Sequence, residues 1–330
     1  MTDLPTSLQM ALQEEMALCD HRSLQQASEE LSNRYREKRQ FIQSRGEKYI
    51  LTPAQRAAYL AVRMPATYAV LCRVFEEVRE RMPDLSFETL LDLGAGPGTA
   101  LWAAANIFPS LKKATLIEQD AHLMETGQRM TTHSEHPLLS HAQWKQENLL
   151  NNPTLEPHDL VVLSYVIGEI PREQIEKLID LAWKATLKAL VCIEPGTPHG
   201  FSYILTARSR LIENGAQIAA PCPHSQKCPL EGIQDWCHFA QRVERSCLHR
   251  KLKEGSLGYE DEKYSYVVAS KNPISSSLER IVRSPLKHSG HVNLMVCTPG
   301  GIMPKTLSRK DGEKYKAAKK ANWGDSLPIR

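Results

Sequence analysis

No stretch of these 330 residues approaches the roughly 18 consecutive apolar residues that a membrane-crossing helix requires. The opening Met1-Thr2-Asp3-Leu4-Pro5 lacks the basic-then-apolar order of a secretory signal. Glu14 and Glu15 are out of place in an acid-poor transit peptide. A cytoplasmic protein from a bacterial source, with no membrane partner, is therefore expected. In that reducing compartment the eight cysteines are thiols or metal ligands rather than disulfides. The length suits one large domain or two modest ones.

Net charge is small as well, at +3, but it is unevenly placed. From Gln241 to Arg330 there are 18 Lys and Arg against 9 Asp and Glu, leaving 23 against 29 in the rest. A basic C-terminal third on a mildly acidic body suits a polyanionic partner such as RNA, or simply a solvated basic surface. The last stretch, residues 305–330, strings together Arg309, Lys310, Lys314, Lys316, Lys319 and Lys320, with Tyr315 and Trp323 interleaved. Basic side chains there would neutralise phosphates, and an aromatic ring would stack on an unpaired base.

Residues 1–86 read as helical. Leu24, Ala27, Leu31 and Tyr35 recur at helical spacing, and Thr52-Pro53-Ala54-Gln55 is a helix start. Pro65 is expected to begin a further helix, with Leu71, Val74, Phe75, Val78 and Met82 on its buried face. From Phe87 the pattern alternates strand and helix, which implies a parallel sheet covered on both faces. Strands are expected at 89–93, 114–118, 141–146, 159–165 and 189–196. Two more, at 264–269 and 291–296, would complete seven. The expected divisions are therefore a core at 87–215, an insertion at 216–260, the final core strands at 261–304 and a basic tail at 305–330.

The first strand runs into Asp92-Leu-Gly-Ala-Gly-Pro-Gly98. Glycine there lets a ligand touch bare backbone, and the helix that follows offers free N–H groups. The spacing is Gly-x-Gly-x-Gly, whereas the dinucleotide fingerprint is Gly-x-Gly-x-x-Gly. Glu118, at the tip of the second strand, is placed to accept from two ribose hydroxyls. Together these features resemble the S-adenosylmethionine (SAM) site of class I methyltransferases. That resemblance implies a Rossmann-like seven-stranded α/β fold, with Asp92, Gly94, Gly96, Gly98 and Glu118 around the cofactor and Asn148 at the adenine edge.

Two familiar catalytic signatures are missing. After the fourth strand the chain reads Ser164-Tyr165-Val166-Ile167-Gly168-Glu169. That is neither the (Asn/Asp/Ser)-Pro-Pro-(Tyr/Phe) of base-amine methyltransferases nor a cysteine nucleophile. Ser164, Tyr165 and Glu169 are candidates by location only.

The insertion holds Cys222, Cys228 and Cys237 within 16 residues, set among prolines and glycines, with Cys297 at the tip of a distant strand. Thiolates converging on one metal centre would cross-link a segment that has little core of its own. The gaps of five and eight residues lack a tight zinc knuckle and are more comfortable around an iron–sulfur cube, but spacing alone leaves iron–sulfur and zinc open. Cys19, Cys72 and Cys192 read as core residues.

Taken together, the glycine loop, Ile193-Glu-Pro-Gly196, the Cys-Pro pairs at 222 and 228, Trp236-Cys-His-Phe239, Cys297 and the Tyr315…Trp323-Gly-Asp325 ending resemble one family. It is the methyltransferase-like small-ribosomal-subunit assembly proteins, known from mitochondria and with bacterial relatives. The resemblance implies a [4Fe–4S] cluster on Cys222, Cys228, Cys237 and Cys297, with Cys247 a bystander. It also implies work on small-subunit ribosomal RNA, and a monomer is expected. Three readings follow: an rRNA methyltransferase, a non-catalytic assembly factor keeping that fold, or a small-molecule methyltransferase with structural zinc.

Overall fold

A computed structural model describes residues 4–37, 52–132, 134–245, 257–274 and 278–328. Three helices come first: α1 (Thr6–Ala17), α2 (His21–Glu37) and α3 (Pro53–Arg81). Thr52 caps α3 by accepting the Gln55 N–H at 3.1 Å, and Pro53 fills a first-turn position that needs no donor. Contrary to expectation, α3 runs unbroken through Pro65. A proline there removes one helical hydrogen bond. The long stripe of Leu60, Met64, Tyr68, Leu71, Phe75 and Val78, at most 1% exposed, holds the helix against the sheet regardless.

The main sheet is built from β1 (Thr89–Leu93), β2 (Lys113–Glu118), β3 (Gln143–Gln146), β4 (His158–Ser164), β5 (Thr186–Pro195), β6 (Gln217–Ala220), β7 (Phe239–Glu244) and β8 (Tyr259–Ser270). Helices α4 (Thr99–Ile107), α5 (Ala121–Thr132), α6 (Pro137–Ser140), α7 (Arg172–Lys184) and α8 (Pro198–Glu213) connect the strands. Strand order is β3-β2-β1-β4-β5-β8-β6, with β7 also on β8. The first five strands are mutually parallel, and β8 runs antiparallel to β5 and β6. A parallel sheet with one reversed strand inserted before the last is the class I methyltransferase topology. Cores on both faces bury the apolar runs of β1, β4 and β5 completely.

The strand at 291–296 does not complete this sheet, and the short β6 stands at its edge instead. The later chain forms a second, antiparallel sheet: β9 (Leu278–Ile281), β10 (Leu286–Lys287), β11 (His291–Thr298), β12 (Gly301–Ser308) and β13 (Ser326–Pro328). Its own small core of Ile281, Val292, Leu294, Val296 and Leu307 is closed by Tyr315 and Ala318 of α9 (Glu313–Lys320). The stretch expected to be a tail is thus folded as β12, α9 and β13.

One buried ion pair joins the two sheets. Arg280 of β9 and Glu77 of α3 are 2% and 3% exposed, and they meet through two hydrogen bonds of 2.9 and 2.7 Å. Arg280 also donates to the Pro221 carbonyl at 2.9 Å. Burial opposes the Glu77 charge, but the Arg280 hydrogen bonds and charge hold its carboxyl below the ordinary range. Removing one partner strands the other charge, so Glu77→Ala should cost about 3–5 kcal/mol in urea unfolding. Lys112→Ala, which breaks the exposed pair to Glu88, should be nearly silent.

Candidate functional site

The tips of β1, β2, β4 and β5 converge on one crevice, as open α/β sheets require. Asp92 sits just inside the first tip, 2% exposed, and its Oδ2 is buried without a hydrogen-bond partner. Burial, and then the neighbouring charge of Glu118, push its carboxyl up to about 8. The loop leaves β1 with Gly94 and Ala95 donating to the Ile117 carbonyl at 2.9 and 3.0 Å. Gly96 has φ +53°, and a Cβ there would meet nothing within 4 Å. Its bare backbone therefore faces open space, whereas a Cβ on Gly94 would strike Val166 at 2.4 Å.

Glu118 is 8% exposed and locks this loop, accepting from Gly96 N–H and Asp120 N–H at 2.8 Å each. Each carboxylate oxygen keeps a further acceptor site. Asn148 caps the turn after β3, its side-chain oxygen accepting from Leu150 N–H at 2.8 Å. The cap fixes that oxygen in place and leaves its amide N–H groups and a second acceptor site for an adenine edge.

Tyr165 follows β4 at φ +60°, unusual for a side chain of this size. Its hydroxyl and the Ser164 Oγ are buried without partners. Glu169 is exposed at the same tip. Glu194 is a site residue that the sequence reading left unassigned. It ends β5 at 2% exposure, accepts from Ile167 and Gly168 N–H at 2.8 and 3.3 Å, and is pushed by burial up to about 8. Its signal was available: an acidic residue ending an apolar run, as in β1 and β2.

Cys222, Cys228, Cys237 and Cys297 line a single cavity beside Arg208 and Tyr266. Burial and the other cysteines push the Cys237 thiol well up and the Cys297 thiol up to about 12. Among the described residues no three His, Cys, Asp or Glu side chains close on a single-ion position. Cys247 lies outside the described residues. The Trp-Cys-His-Phe stretch has a distinct role at each position. Trp236 donates its indole N–H to the Gly196 carbonyl at 3.1 Å, and Cys237 faces the cavity. His238 lies edge-on to Trp323 with centroids 4.8 Å apart, while Phe239 packs on Tyr266 at 5.4 Å.

The basic C-terminal segment needs correction. Tyr315 is 8% exposed inside the second core, so its ring is not free to stack on a base. Trp323 is half-buried against His238 and the main core. Both aromatics hold the fold together. Arg309, Lys310, Lys314, Lys316, Lys319 and Lys320 are all exposed on and beside α9.

A family model described as mitochondrial small ribosomal subunit Rsm22 matches residues 53–328. Human mitochondrial ribosome assembly protein METTL17 is 28% identical over 293 residues, covering 82% of this chain and 62% of that protein. Mitochondrial Rsm22-cox11 tandem protein 2 of Schizosaccharomyces pombe is 27% identical, covering 84% of this chain and 44% of that one. Ribosome assembly protein RSM22 of Saccharomyces cerevisiae mitochondria is 22% identical, covering 81% and 66%. The chain thus spans less than two thirds of the length of these relatives. Among solved structures, magnesium protoporphyrin IX methyltransferase of Synechocystis with bound SAH has a TM-score of 0.43 at 11% identity, covering 73% of this chain and 94% of that one. Because the family and all three relatives are described as mitochondrial, the expectation of a bacterial cytoplasmic protein is overturned. Matched over residues 53–328, the chain belongs to the Rsm22 family of mitochondrial small-ribosomal-subunit proteins.

Proposed function

We propose that this protein binds SAM in the β1–β2 crevice and serves assembly of the small ribosomal subunit. The observation that carries the cofactor assignment is the orphaned Asp92 carboxyl beside the open Gly96 backbone. A buried acceptor without a partner is costly unless a ligand completes it. SAM brings a sulfonium and an ammonium group, and Asp92, Glu118 and Glu194 supply complementary carboxylates. Glu118 would accept the ribose hydroxyls, its orientation already fixed by the loop. Bound SAM would supply an activated methyl group.

A second reading, methyl transfer to rRNA, is favoured by the unpartnered Ser164 and Tyr165 hydroxyls at the β4 tip. Mapping methylated small-subunit nucleotides with and without the gene separates the two. A lost mark identifies an enzyme, whereas unchanged rRNA with stalled subunits identifies an assembly factor. For the crevice itself, SAM titrated by calorimetry below pH 8 should release protons, because the bound cation favours ionised Asp92. The heat should then vary with buffer ionisation enthalpy. Asp92→Asn should reduce that variation and cost roughly 1.5–3 kcal/mol of affinity. Unaltered affinity in both Asp92→Asn and Gly96→Val would sink the assignment.

The four cysteines also suit a metal centre. They share one cavity, and the sequence gaps of five and eight residues lack a tight zinc knuckle and suit a larger iron–sulfur cluster. Cys222, Cys228, Cys237 and Cys297 would be its ligands, and the centre would pin the insertion to the second sheet. Protein purified without oxygen should be brown. Ser at any of the four positions should lower iron content, and Cys247→Ser should not. Stoichiometric zinc without iron would replace the cluster in this reading.

RNA would bind through the exposed cations around α9. Each phosphate neutralised contributes a log–log salt slope of about −0.7 to −0.9. Changing Lys310, Lys314, Lys319 and Lys320 to Glu should therefore flatten the slope for small-subunit rRNA in filter binding. An unchanged slope would assign those lysines to solvent.

A further inference from the structure

Arg208 is the one polar residue on an otherwise apolar stripe of α8, Phe201, Ile204, Leu205 and Arg208, that faces the cysteines. It is 4% exposed. Its Nη2 donates to the carbonyls of His224 and Gln226 at 3.0 and 2.6 Å. Both carbonyls lie inside the loop between Cys222 and Cys228. Its Nε–H is buried with no partner, and among the described residues no carboxylate pairs with its charge. A buried guanidinium with no counter-charge and one donor left unfilled is costly. Behind Cys297 of that cavity, His224 is 8% exposed and places Nε2 3.8 Å from the Cys297 sulfur.

From this geometry we infer that Arg208 and His224 are the charge-compensating shell of an anionic, thiolate-ligated metal centre. Arg208 ties down the loop that carries two of the thiolates and supplies a positive charge and a free N–H on their side. His224 supplies a ring N–H to the Cys297 thiolate. Thiolates on iron carry net negative charge, and nearby donors and cations stabilise the reduced form and raise its potential. The inference rests on the metal reading proposed above, and both residues are positioning residues rather than ligands.

The test is iron content and redox potentiometry on the full chain purified without oxygen, for wild type, Arg208→Met, Arg208→Lys and His224→Phe. Arg208→Met should retain less iron, and what remains should be harder to reduce by about tenfold, a fall of about 59 mV for one electron. Arg208→Lys keeps the charge and should stay near wild type in potential. His224→Phe keeps a flat ring but no ring N–H, and should also lower the potential. Wild-type potential and iron content in both Arg208→Met and His224→Phe would overturn the inference. If Arg208→Met yields no folded protein, His224→Phe decides, with a wild-type potential counting against the inference. Absence of iron from the wild type would instead refute the metal reading itself.

Discussion

The buried pair between Arg280 and Glu77 is the constraint on which the two halves of this chain depend. A β9 arginine reaches the parallel-sheet half through Glu77, whose other neighbour is Arg73 at 2.9 Å. The same guanidinium holds the Pro221 carbonyl, immediately before Cys222. Cys297 is the register partner of Arg280 across β9 and β11. The first and last cysteines of the cavity are thus both set relative to one side chain. Without it, the second sheet would lose a buried contact that helps bring its cysteine to the other three.

Charge is partitioned between the two cavities. The crevice gathers Asp92, Glu118 and Glu194, and burial pushes all three carboxyls upward, Asp92 and Glu194 to about 8. The cysteine cavity gathers thiols and an arginine without a carboxylate partner among the described residues. The first would suit a cation, and the second the anionic centre proposed above. Each cavity carries the polarity that its proposed occupant would neutralise, so burial and recognition are one property seen from two sides.

Much of this was legible because the core strands are apolar runs ending in an acid: Leu90–Asp92, Leu116–Glu118. A buried parallel strand leaves that pattern, and the acid marks the tip. The misplacement of β11 has an equally physical source. His291-Val-Asn-Leu-Met-Val alternates, with Val292, Leu294 and Val296 inward, which is the pattern of a one-sided antiparallel strand rather than a central parallel one. The four residues of β6 were too few to read. Tyr315 and Trp323 were misread because a basic neighbourhood says nothing about which way a ring points. Tyr315 alternates with exposed lysines on an amphipathic helix and turns inward. Trp323-Gly-Asp325 completes the packing of Trp236-Cys-His-Phe239, since a Cβ on Gly324 would meet the Phe239 ring at 3.1 Å.

The crevice and the cysteine cavity also share one stiff element. Glu194 ends β5 in the crevice, and two residues later the Gly196 carbonyl receives the Trp236 indole N–H. Thr197 then caps α8 through Gly200 N–H at 3.1 Å. Gly200 must be glycine, because a Cβ would lie 1.9 Å from the Pro195 carbonyl oxygen. The next residue, Phe201, begins the stripe that ends at Arg208. On the neighbouring strand Ser265 is the register partner of Glu194, and its hydroxyl donates to the Cys237 carbonyl at 2.7 Å. Two routes, one along the chain and one across the sheet, therefore run from the crevice carboxylate to the cysteine wall through capped, hydrogen-bonded backbone. Packed elements of this kind move as units rather than deform, so the geometry of the cysteine cavity and that of the crevice are set together.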